Sequence, residues 1–311
     1  MITATAPGKV ILFGEHAVVY GRPALAAPVT QLRARAVVEM GDGPEVRLVA
    51  PDLGRATTLA AARADNALAA TARLMEQRAG RPLPPGLSLS VSSAIPIASG
   101  LGSGAAIAVA VIRALGDCFQ LELSREEVSA LAYEIERLHH GTPSGIDNTV
   151  IAFEQPVYFV RQQPANRIET FRPARPLRLV IADTGVRSAT KVVVGDVRRR
   201  WEAERDRFEA IFDACGRLAE AGRAALAAGD LAAVGRLMDE NHAQLVEMTV
   251  SSADLDHLAG AARAAGALGA KLSGAGRGGN LIALVDESGE AAVCDGLMAA
   301  GAARLFRSDV G

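Results

Sequence analysis

The sequence predicts an α+β protein with two domains, and three observations support this class. The chain has 311 residues, of which 50% are hydrophobic and 22% charged, enough for two modest globular domains. A strand, a glycine loop and a buried helix follow one another over residues 87–115. From Pro176 onwards the strand pattern restarts, and short apolar strands alternate with Ala-rich helical stretches. We expect the domains to cover residues 1–172 and 173–311.

The strand–loop–helix unit is the part of the chain that indicates chemistry. Its strand is predicted by alternating apolar and serine residues in LSLSVS, residues 87–92. Gly100, Gly102 and Gly104 allow a tight turn and a close approach to a ligand, and Ala105 to Leu115 is an apolar run of helical length. The unpaired NH groups and the positive dipole end of this helix point into the loop, which predicts an anion site, most naturally for phosphate.

Three interpretations of this unit remain open on these residues alone. The glycines could simply permit close packing. They could form a dinucleotide fingerprint, because Gly100, Gly102 and Ala105 match G-x-G-x-x-A. That fingerprint requires an acidic residue about 20 positions on, at the end of the next strand, whereas LELSREEV at residues 121–128 predicts the start of a helix. The third interpretation is a nucleotide-phosphate loop of another family.

Composition and charge exclude several classes of protein. The net charge is −2 and basic residues alternate with acidic ones, so neither nucleic acid nor an anionic membrane is an expected partner. Cys118, Cys215 and Cys294 lie far apart among apolar residues, which indicates reduced, packed thiols. The N-terminal stretch has no basic leader pattern, and no apolar run is long enough to span a membrane. We therefore expect a cytoplasmic protein.

Lysine is rare in this chain. Of the 33 basic residues only Lys9, Lys191 and Lys271 are lysine. A guanidinium is planar and larger than an ammonium, so a lysine kept in such a sequence marks a place that could require the compact charge. All three lie beside glycine or threonine motifs.

The first half of the chain supplies several candidate polar residues. A short strand over residues 10–13 has Lys9 before it and Glu15 and His16 after it, and polar groups at strand ends line clefts. A helix is predicted over residues 63–78, and it contains Asn66.

Two further helix signals follow the central helix. Ser124 and Glu127 form a capping box, and the helix that they open has an apolar stripe made of Val128, Leu131, Ile135 and Leu138. Gly141 is a stop signal for this helix, and Pro143 forbids its continuation. Asp147 is therefore predicted on a loop, before a strand at 157–160.

In the second half a strand is predicted in LRLVIADTG, residues 177–185. Two long helices follow over 198–228 and 231–249, divided at Gly229 with Asp230 as the N-cap. The remaining elements are predicted in the order helix 253–265, strand 270–273, strand 281–285, helix 291–300 and strand 304–307.

Three segments of the chain resemble the three ordered motifs of the GHMP small-molecule kinases. They are PGKVILFGEHAVVYG at 7–21, SGLGSGAA at 99–106 and KLSGAGRGG at 271–279. Within this superfamily GEHAVVYG and PSGID resemble the mevalonate kinase branch. The resemblance implies an N-terminal ribosomal-S5-like domain that binds ATP, a C-terminal ferredoxin-like α+β domain with added helices, and an active site in the cleft between them.

The resemblance also implies roles for individual residues. Asp147 would be the catalytic carboxylate and Lys9 its cationic partner, while Ser103 and Glu136, eleven residues before Asp147, would bind Mg²⁺. The residues implied to bind ATP are Ser99, Gly100, Leu101, Gly102, Ser103, Gly104, Ala105 and Asn66. Those implied to face the substrate are Glu15, His16, Ser144, Gly145, Thr184, Gly274 and Ala275.

The implied reaction is phosphorylation of (R)-mevalonate at its C5 hydroxyl by ATP, in isoprenoid precursor synthesis. One alternative is another kinase of the superfamily, acting on phosphomevalonate, the mevalonate 3-hydroxyl, homoserine or a sugar. A second is a catalytically silent regulator that binds a metabolite. The expected partners are mevalonate and ATP, and a homodimer is an open alternative.

The sequence departs from the usual form of two motifs. Gly104 stands where the family's GLGSS has its second serine, and GAGRGGN stands where GAGGGGC is common. The second departure places Arg277 in a glycine-rich loop near the expected phosphates, either to neutralise charge or to point to solvent.

Overall fold

The computed structural model describes residues 1–96, 99–140 and 143–311. They form two compact units that interleave along the chain. The first unit takes its described residues from 1–8, 32–96 and 102–154, and the second takes them from 9–31, 97–101 and 155–311. A division of the chain near residue 172 stays a prediction.

Two long strands contribute residues to both units, β1 (Ile2–Phe13) and β2 (Ala24–Met40). In the first unit β2 continues a sheet with β3 (Arg47–Ala50), β4 (Arg55–Thr58) and β5 (Leu87–Ser93), in the order β4-β3-β5-β2. β5 pairs antiparallel with β2, with Ala34 opposite Ser93, and parallel with β3. Short 3₁₀ turns cover Ala17–Tyr20 and Pro51–Leu53.

Four helices complete the first unit: α1 (Ala67–Ala79), α2 (Ser103–Phe119), α3 (Arg125–His140) and α4 (Ile146–Phe153). α2 packs against the other three and against β5, and 11 of its 17 residues are buried. A helix that is apolar on every face requires partners on every side, and α2 has them. The predicted buried helix after the glycine loop is therefore confirmed.

The second unit contains β6 (Val157–Val160) and β7 (Arg167–Thr170), which continue from β2, and a separate four-stranded sheet. That sheet consists of β8 (Leu177–Asp183), β9 (Gly269–Ser273), β10 (Asn280–Val285) and β11 (Arg304–Val310). Its order is β11-β8-β10-β9, and all of its pairs are antiparallel. The helices of this unit are α5 (Thr190–Ala203), α6 (Arg205–Ala228), α7 (Leu231–Glu247), α8 (Ala253–Ala264) and α9 (Glu290–Ala299).

From β8 onwards, and leaving out α5, α6 and α7, the second unit runs β8, α8, β9, β10, α9 and β11. This is the β-α-β-β-α-β order of a ferredoxin-like fold, so the predicted α+β class and its second domain are confirmed. α7 lies directly on β9, because a Cβ added to Gly269 would come within 2.0 Å of the Gly235 carbonyl oxygen.

Five predictions about elements are corrected by the structure. Asn66 does not lie within its helix but is the N-cap residue before α1. Lys9 does not precede its strand but lies within β1, which continues through Pro7. Asp147 is not on a loop but is the second residue of α4. Leu138 is 71% exposed and does not belong to the buried stripe of α3. Residues 198–203 end α5, and the following long helix begins only at Arg205.

Two of these corrections are explained by the neighbours of the element. Pro7 lacks an NH group, but among the described strands β1 pairs only with β2, and such a peripheral strand can accommodate a proline. Periodicity identifies the face of a helix but not the length over which a neighbour covers it, and Leu138 lies in the last turn of α3.

Other predictions are confirmed in detail. The Ser124 NH donates to Glu127 Oε2 at 3.0 Å and the Glu127 NH donates to Ser124 Oγ at 3.2 Å, as a capping box requires. Asp230 caps α7 by accepting from the Ala233 NH at 2.9 Å. The predicted helix stop at Gly141 lies outside the described residues. None of the helices in the described ranges is long and apolar enough to cross a membrane.

Candidate active site

The second motif starts with residues 99–101, and backbone carbonyls of these residues accept hydrogen bonds from residues in or next to the first and third motifs. The Asn280 side-chain amide donates to the Ser99 carbonyl at 2.5 Å, and the Lys9 NH donates to the Leu101 carbonyl at 2.9 Å. Gly100 has a φ of 86°, and a Cβ added to it would lie 4.0 Å from the Gly274 Cα atom. Within the second unit the three motifs that the sequence separates by many residues therefore meet.

The rest of the second motif begins α2 in the first unit. Gly102 caps the helix in the left-handed conformation, with a φ of 75° and no capping side chain. Ser103 is the first helical residue and is half-buried, Gly104 is exposed, and Ala105 is buried. The NH groups of this turn and the positive end of the helix dipole suit an anion such as phosphate.

Ser103, Glu136 and Asp147 lie on three helices that pack together in the first unit. Ser103 begins α2, Glu136 is half-buried in the second half of α3, and Asp147 is half-buried in the first turn of α4. α2 packs against both α3 and α4, and these two helices also pack against each other. The first unit thus carries a hydroxyl and two carboxylates on three helices that contact one another.

The first turn of α4 is anchored to α3 by Asn148 and is also held by local hydrogen bonds on either side of Asp147. The Asn148 amide donates to both the carbonyl and the hydroxyl oxygen of Ser129 at 2.9 Å. Thr149 Oγ1 donates to the carbonyl of Gly145, which is the N-cap residue with a φ of 89°, at 2.7 Å. The Ser144 hydroxyl accepts from the Ile146 NH at 3.3 Å. These bonds fix the direction in which the Asp147 side chain leaves the helix.

Lys9 is 3% exposed within β1 and belongs to the second unit. Asp147 belongs to the first unit, so the pairing of their charges stays a prediction. Asn66 caps α1 by accepting from the Ala69 NH at 3.0 Å, and its contact with ATP likewise stays a prediction.

Glu15 is fully buried and forms an ion pair with Lys271, which is also fully buried. Asn241 of α7 donates to the second carboxylate oxygen of Glu15 at 3.3 Å, and Lys271 Nζ also donates to the Leu272 carbonyl at 2.6 Å. Burial raises the pKa of the Glu15 carboxyl and lowers the pKa of the Lys271 ammonium, while their mutual attraction opposes both shifts.

His16 follows Glu15 and is held neutral. It is 7% exposed, has a φ of 59°, and its Nε2 donates to the Ala275 carbonyl at 2.9 Å, since a carbonyl can only accept. Burial is the main reason that its pKa falls to about 4. Two predicted substrate residues, His16 and Ala275, are thereby brought together.

The third motif is also connected to Thr184. Both the NH and the hydroxyl of Thr184 donate to the Gly279 carbonyl, at 2.9 Å and 3.0 Å. The third motif requires glycine at position 276, because a Cβ added there would come within 2.0 Å of the Val250 carbonyl oxygen. Gly274, Ala275 and Thr184 thus belong to one hydrogen-bonded region of the second unit.

Sequence analysis alone did not identify Asn241 or Asn280 as parts of this region, nor Lys271 as the partner of Glu15. The rarity of lysine was the one signal that pointed to Lys271. Nothing in the sequence distinguishes Asn241 from an exposed helical asparagine, because its significance depends on α7 packing against β9.

Two protein families match the chain. Residues 66–155 match the family described as GHMP kinases N terminal domain, and residues 223–302 match GHMP kinases C terminal. The mevalonate kinase of Thermococcus sibiricus is 36% identical over 306 residues, which cover 92% of this chain and 90% of that protein. The mevalonate kinase of Pyrococcus abyssi is 35% identical over 91% of this chain and 88% of its own length.

Solved structures resemble the chain over its full length. L. major mevalonate kinase in complex with R-mevalonate is 31% identical, with a TM-score of 0.85 over 100% of this chain and 96% of that one. The Methanococcus jannaschii mevalonate kinase is 25% identical, with a TM-score of 0.87 over 99% and 98% of the two chains. Streptococcus pneumoniae phosphomevalonate kinase, at 19% identity and a TM-score of 0.84, shares the fold.

Proposed function

The chain belongs to the GHMP kinase family, and from this premise we propose that it transfers the γ-phosphoryl group of ATP to the C5 hydroxyl of (R)-mevalonate. The product is 5-phosphomevalonate, an intermediate of isoprenoid precursor synthesis. The observation that carries the proposal is the full-length similarity to mevalonate kinases, including one solved with R-mevalonate bound. The three motifs and the carboxylate of Asp147 supply the groups that this reaction requires.

Phosphoryl transfer requires an oriented acceptor, neutralised phosphate charge and little covalent chemistry from the protein. We assign the ATP phosphates to residues 99–105, where the glycine loop and the NH groups of the first turn of α2 can donate to their oxygens. Asn66 is assigned to the nucleotide as well. In this arrangement the backbone provides most of the positive potential, since no side chain caps α2.

Asp147 is assigned to orient the C5 hydroxyl and to accept its proton as the new P–O bond forms. Its fixed position in the first turn of α4 supports this role, because a general base must be held within hydrogen-bond distance of the acceptor. Lys9 is assigned to keep Asp147 ionised and to offset negative charge in the transition state.

The substrate is assigned to His16, Ser144, Gly145, Thr184, Gly274 and Ala275, together with Glu15. His16 is neutral near pH 7, so it offers a hydrogen bond without adding charge to the site. Glu15 already accepts from Lys271 and Asn241, and we propose that it acts mainly by fixing the backbone that carries His16.

Magnesium is the metal that the family implies, and the donor set fits it. No group of three or more His, Cys, Asp or Glu side chains that could hold a metal occurs in the described ranges. Mg²⁺ typically binds through one or two carboxylates together with substrate phosphates and water, so Glu136 and the Ser103 hydroxyl suffice as protein ligands. When bound, the ion would neutralise charge on the ATP phosphates.

The proposal is tested by measuring ADP release with mevalonate, phosphomevalonate, homoserine and galactose as acceptors. We expect turnover with mevalonate, and we expect Asp147→Asn to lower kcat by roughly 10² or more while ATP binding is nearly unchanged. Near-normal turnover of this variant would remove Asp147 from the mechanism. ADP release with one of the other acceptors and none with mevalonate would overturn the substrate assignment.

A further inference from the structure

Arg277 occupies a position in the third motif that suits glycine better. Its φ is 56°, in the left-handed region where a side chain is strained, and the residues on either side of it are Gly276 and Gly278. Its NH donates to the Val250 carbonyl at 2.8 Å. The backbone alone would be satisfied by glycine, so the arginine side chain must have its own reason to be there.

The Arg277 side chain does not extend only into solvent, and its charge already has a partner within the protein. It forms an ion pair through NH1 with Asp196 of α5, and its Nε donates to the Thr249 carbonyl at 3.3 Å. The Arg277 and Asp196 side chains are 31% and 21% exposed, so the pair is partly shielded from water. Arg277 thereby connects the third motif to α5 and to the segment after α7.

The segment between Thr184 and Asp196 is held to the third motif at both ends. At its first end Thr184 donates to the Gly279 carbonyl, and the Gly279 NH donates to the Val186 carbonyl at 2.9 Å. At its second end Asp196 pairs with Arg277. Between these attachments most residues are exposed, including Arg187 and Lys191, and α5 begins without a capping side chain.

We propose that Arg277 is a positioning residue, whose ion pair with Asp196 holds the Thr184–Asp196 segment in place for the acceptor substrate. The proposal rests on the proposed function, in which Thr184 faces mevalonate. Without the ion pair the segment would keep its attachments at Thr184 and Val186 and its buried Val193, but the exposed part between them would open more often. Asp196 remains an anion near neutral pH, because the hydrogen bond from Arg277 lowers its pKa.

The test compares Arg277→Gly, Asp196→Ala, the double variant and Arg199→Ala. Glycine removes the side chain and relieves the positive φ, so Arg277→Gly should fold normally. Arg199 is the other partner of Asp196, is 72% exposed and belongs to the same helix, which makes Arg199→Ala the matched control. The first readout is the initial rate of trypsin cleavage after Arg187 and Lys191 in the native protein, followed by mass spectrometry.

We expect Arg277→Gly and Asp196→Ala each to raise this cleavage rate about fivefold, with no further increase in the double variant. The control should cleave at the wild-type rate. An unchanged rate in Arg277→Gly, or additive effects in the double variant, would overturn the proposal. This readout does not depend on activity, so it stands even if the enzyme proves not to use mevalonate.

The second readout is steady-state kinetics. Both single variants should raise the KM for mevalonate by about fivefold and leave the KM for ATP within about twofold of wild type. If Arg277→Gly instead raises the KM for ATP while Asp196→Ala does not, Arg277 acts on the phosphates and the positioning role is wrong.

Discussion

His16 is a histidine whose surroundings suit only its neutral form. It is almost completely buried, and Arg277 lies near enough to disfavour a second positive charge. The carbonyl of Ala275 favours a protonated Nε2 but cannot offset the loss of solvation, so the pKa falls from its ordinary 6.5 to about 4. Between these two values the unfolded chain binds a proton at His16 and the folded protein does not.

This difference predicts how stability depends on pH. The pKa of His16 is lower in the folded protein than in the unfolded chain. Its contribution to the free energy of unfolding is therefore complete above about pH 6.5 and is lost as the pH falls towards 4. The full loss corresponds to about 3 kcal/mol. We expect wild type to lose about 3 kcal/mol more than His16→Asn between pH 7 and pH 4, measured as the free energy of unfolding in urea.

Asparagine is the suitable replacement because it tolerates a positive φ and does not titrate. His242 also has a pKa lowered by burial, but it is present in both proteins and cancels in the comparison. Parallel pH profiles for the two proteins would show that His16 is solvated and titrates normally.

For single residues, the sequence patterns predict candidate site residues but not the contacts that those residues make. The motifs identified Glu15 and His16, and the rarity of lysine drew attention to Lys271. That Glu15 and Lys271 neutralise each other, and that Asn241 supports the pair, depends on packing between elements far apart in sequence. Local patterns carry no information about such pairs.

Gly104 of the second motif and Gly276 of the third motif differ in whether the surrounding structure leaves room for a side chain. Gly104 is in the first turn of α2, where an added Cβ would meet nothing within 4 Å. Gly276 has a φ of 85°, and an added Cβ would come within 2.0 Å of the Val250 carbonyl oxygen. The departure at Gly104 is therefore not imposed by space, whereas glycine at 276 is imposed by the backbone.

Alanine substitutions should separate the two cases. Gly104→Ala should be neutral or stabilise the protein by up to about 1 kcal/mol, because it reduces the flexibility of the unfolded chain. Gly276→Ala should destabilise it by about 3 kcal/mol or more through steric overlap and backbone strain. Urea denaturation of both variants measures the difference, and equal stability of the two would contradict the close approach at Gly276.

At the scale of elements, long periodic helices and alternating strands were predictable, and their ends and neighbours were less so. Asp147 was placed on a loop because glycine and proline precede it, yet α4 restarts within three residues of Pro143. β2, with 17 residues, was absent from the predicted elements, because its first half is buried on both faces and does not alternate. A strand of that kind resembles any short apolar run.

Across the whole molecule, arginine has replaced lysine almost everywhere, and the three exceptions lie in different surroundings. Lys9 is 3% exposed and Lys271 is fully buried, whereas Lys191 is exposed in the first turn of α5. If the compact ammonium is required only where space is limited, the three positions should respond differently to arginine.

We expect Lys191→Arg to keep wild-type kcat and melting temperature. Lys271→Arg should destabilise the protein by about 2 kcal/mol or more, because a larger cation must fit a site without solvent. Lys9→Arg should lower kcat about tenfold or more with the fold retained, because the charge of the arginine guanidinium is spread over a larger, planar group than that of the lysine ammonium. Wild-type kcat and melting temperature in Lys9→Arg would show that this lysine has no special role.

The ion pair between Glu15 and Lys271 joins residues that lie 256 positions apart in the chain. On the ribosome Glu15 is made early and Lys271 late, and at ordinary rates of synthesis the interval between them is roughly 13 to 50 s. Throughout that interval the carboxylate cannot acquire its native partner, and burying it alone would be unfavourable. The first motif of a growing chain must therefore remain hydrated until β9 has been synthesised, so a segment made among the first is completed among the last.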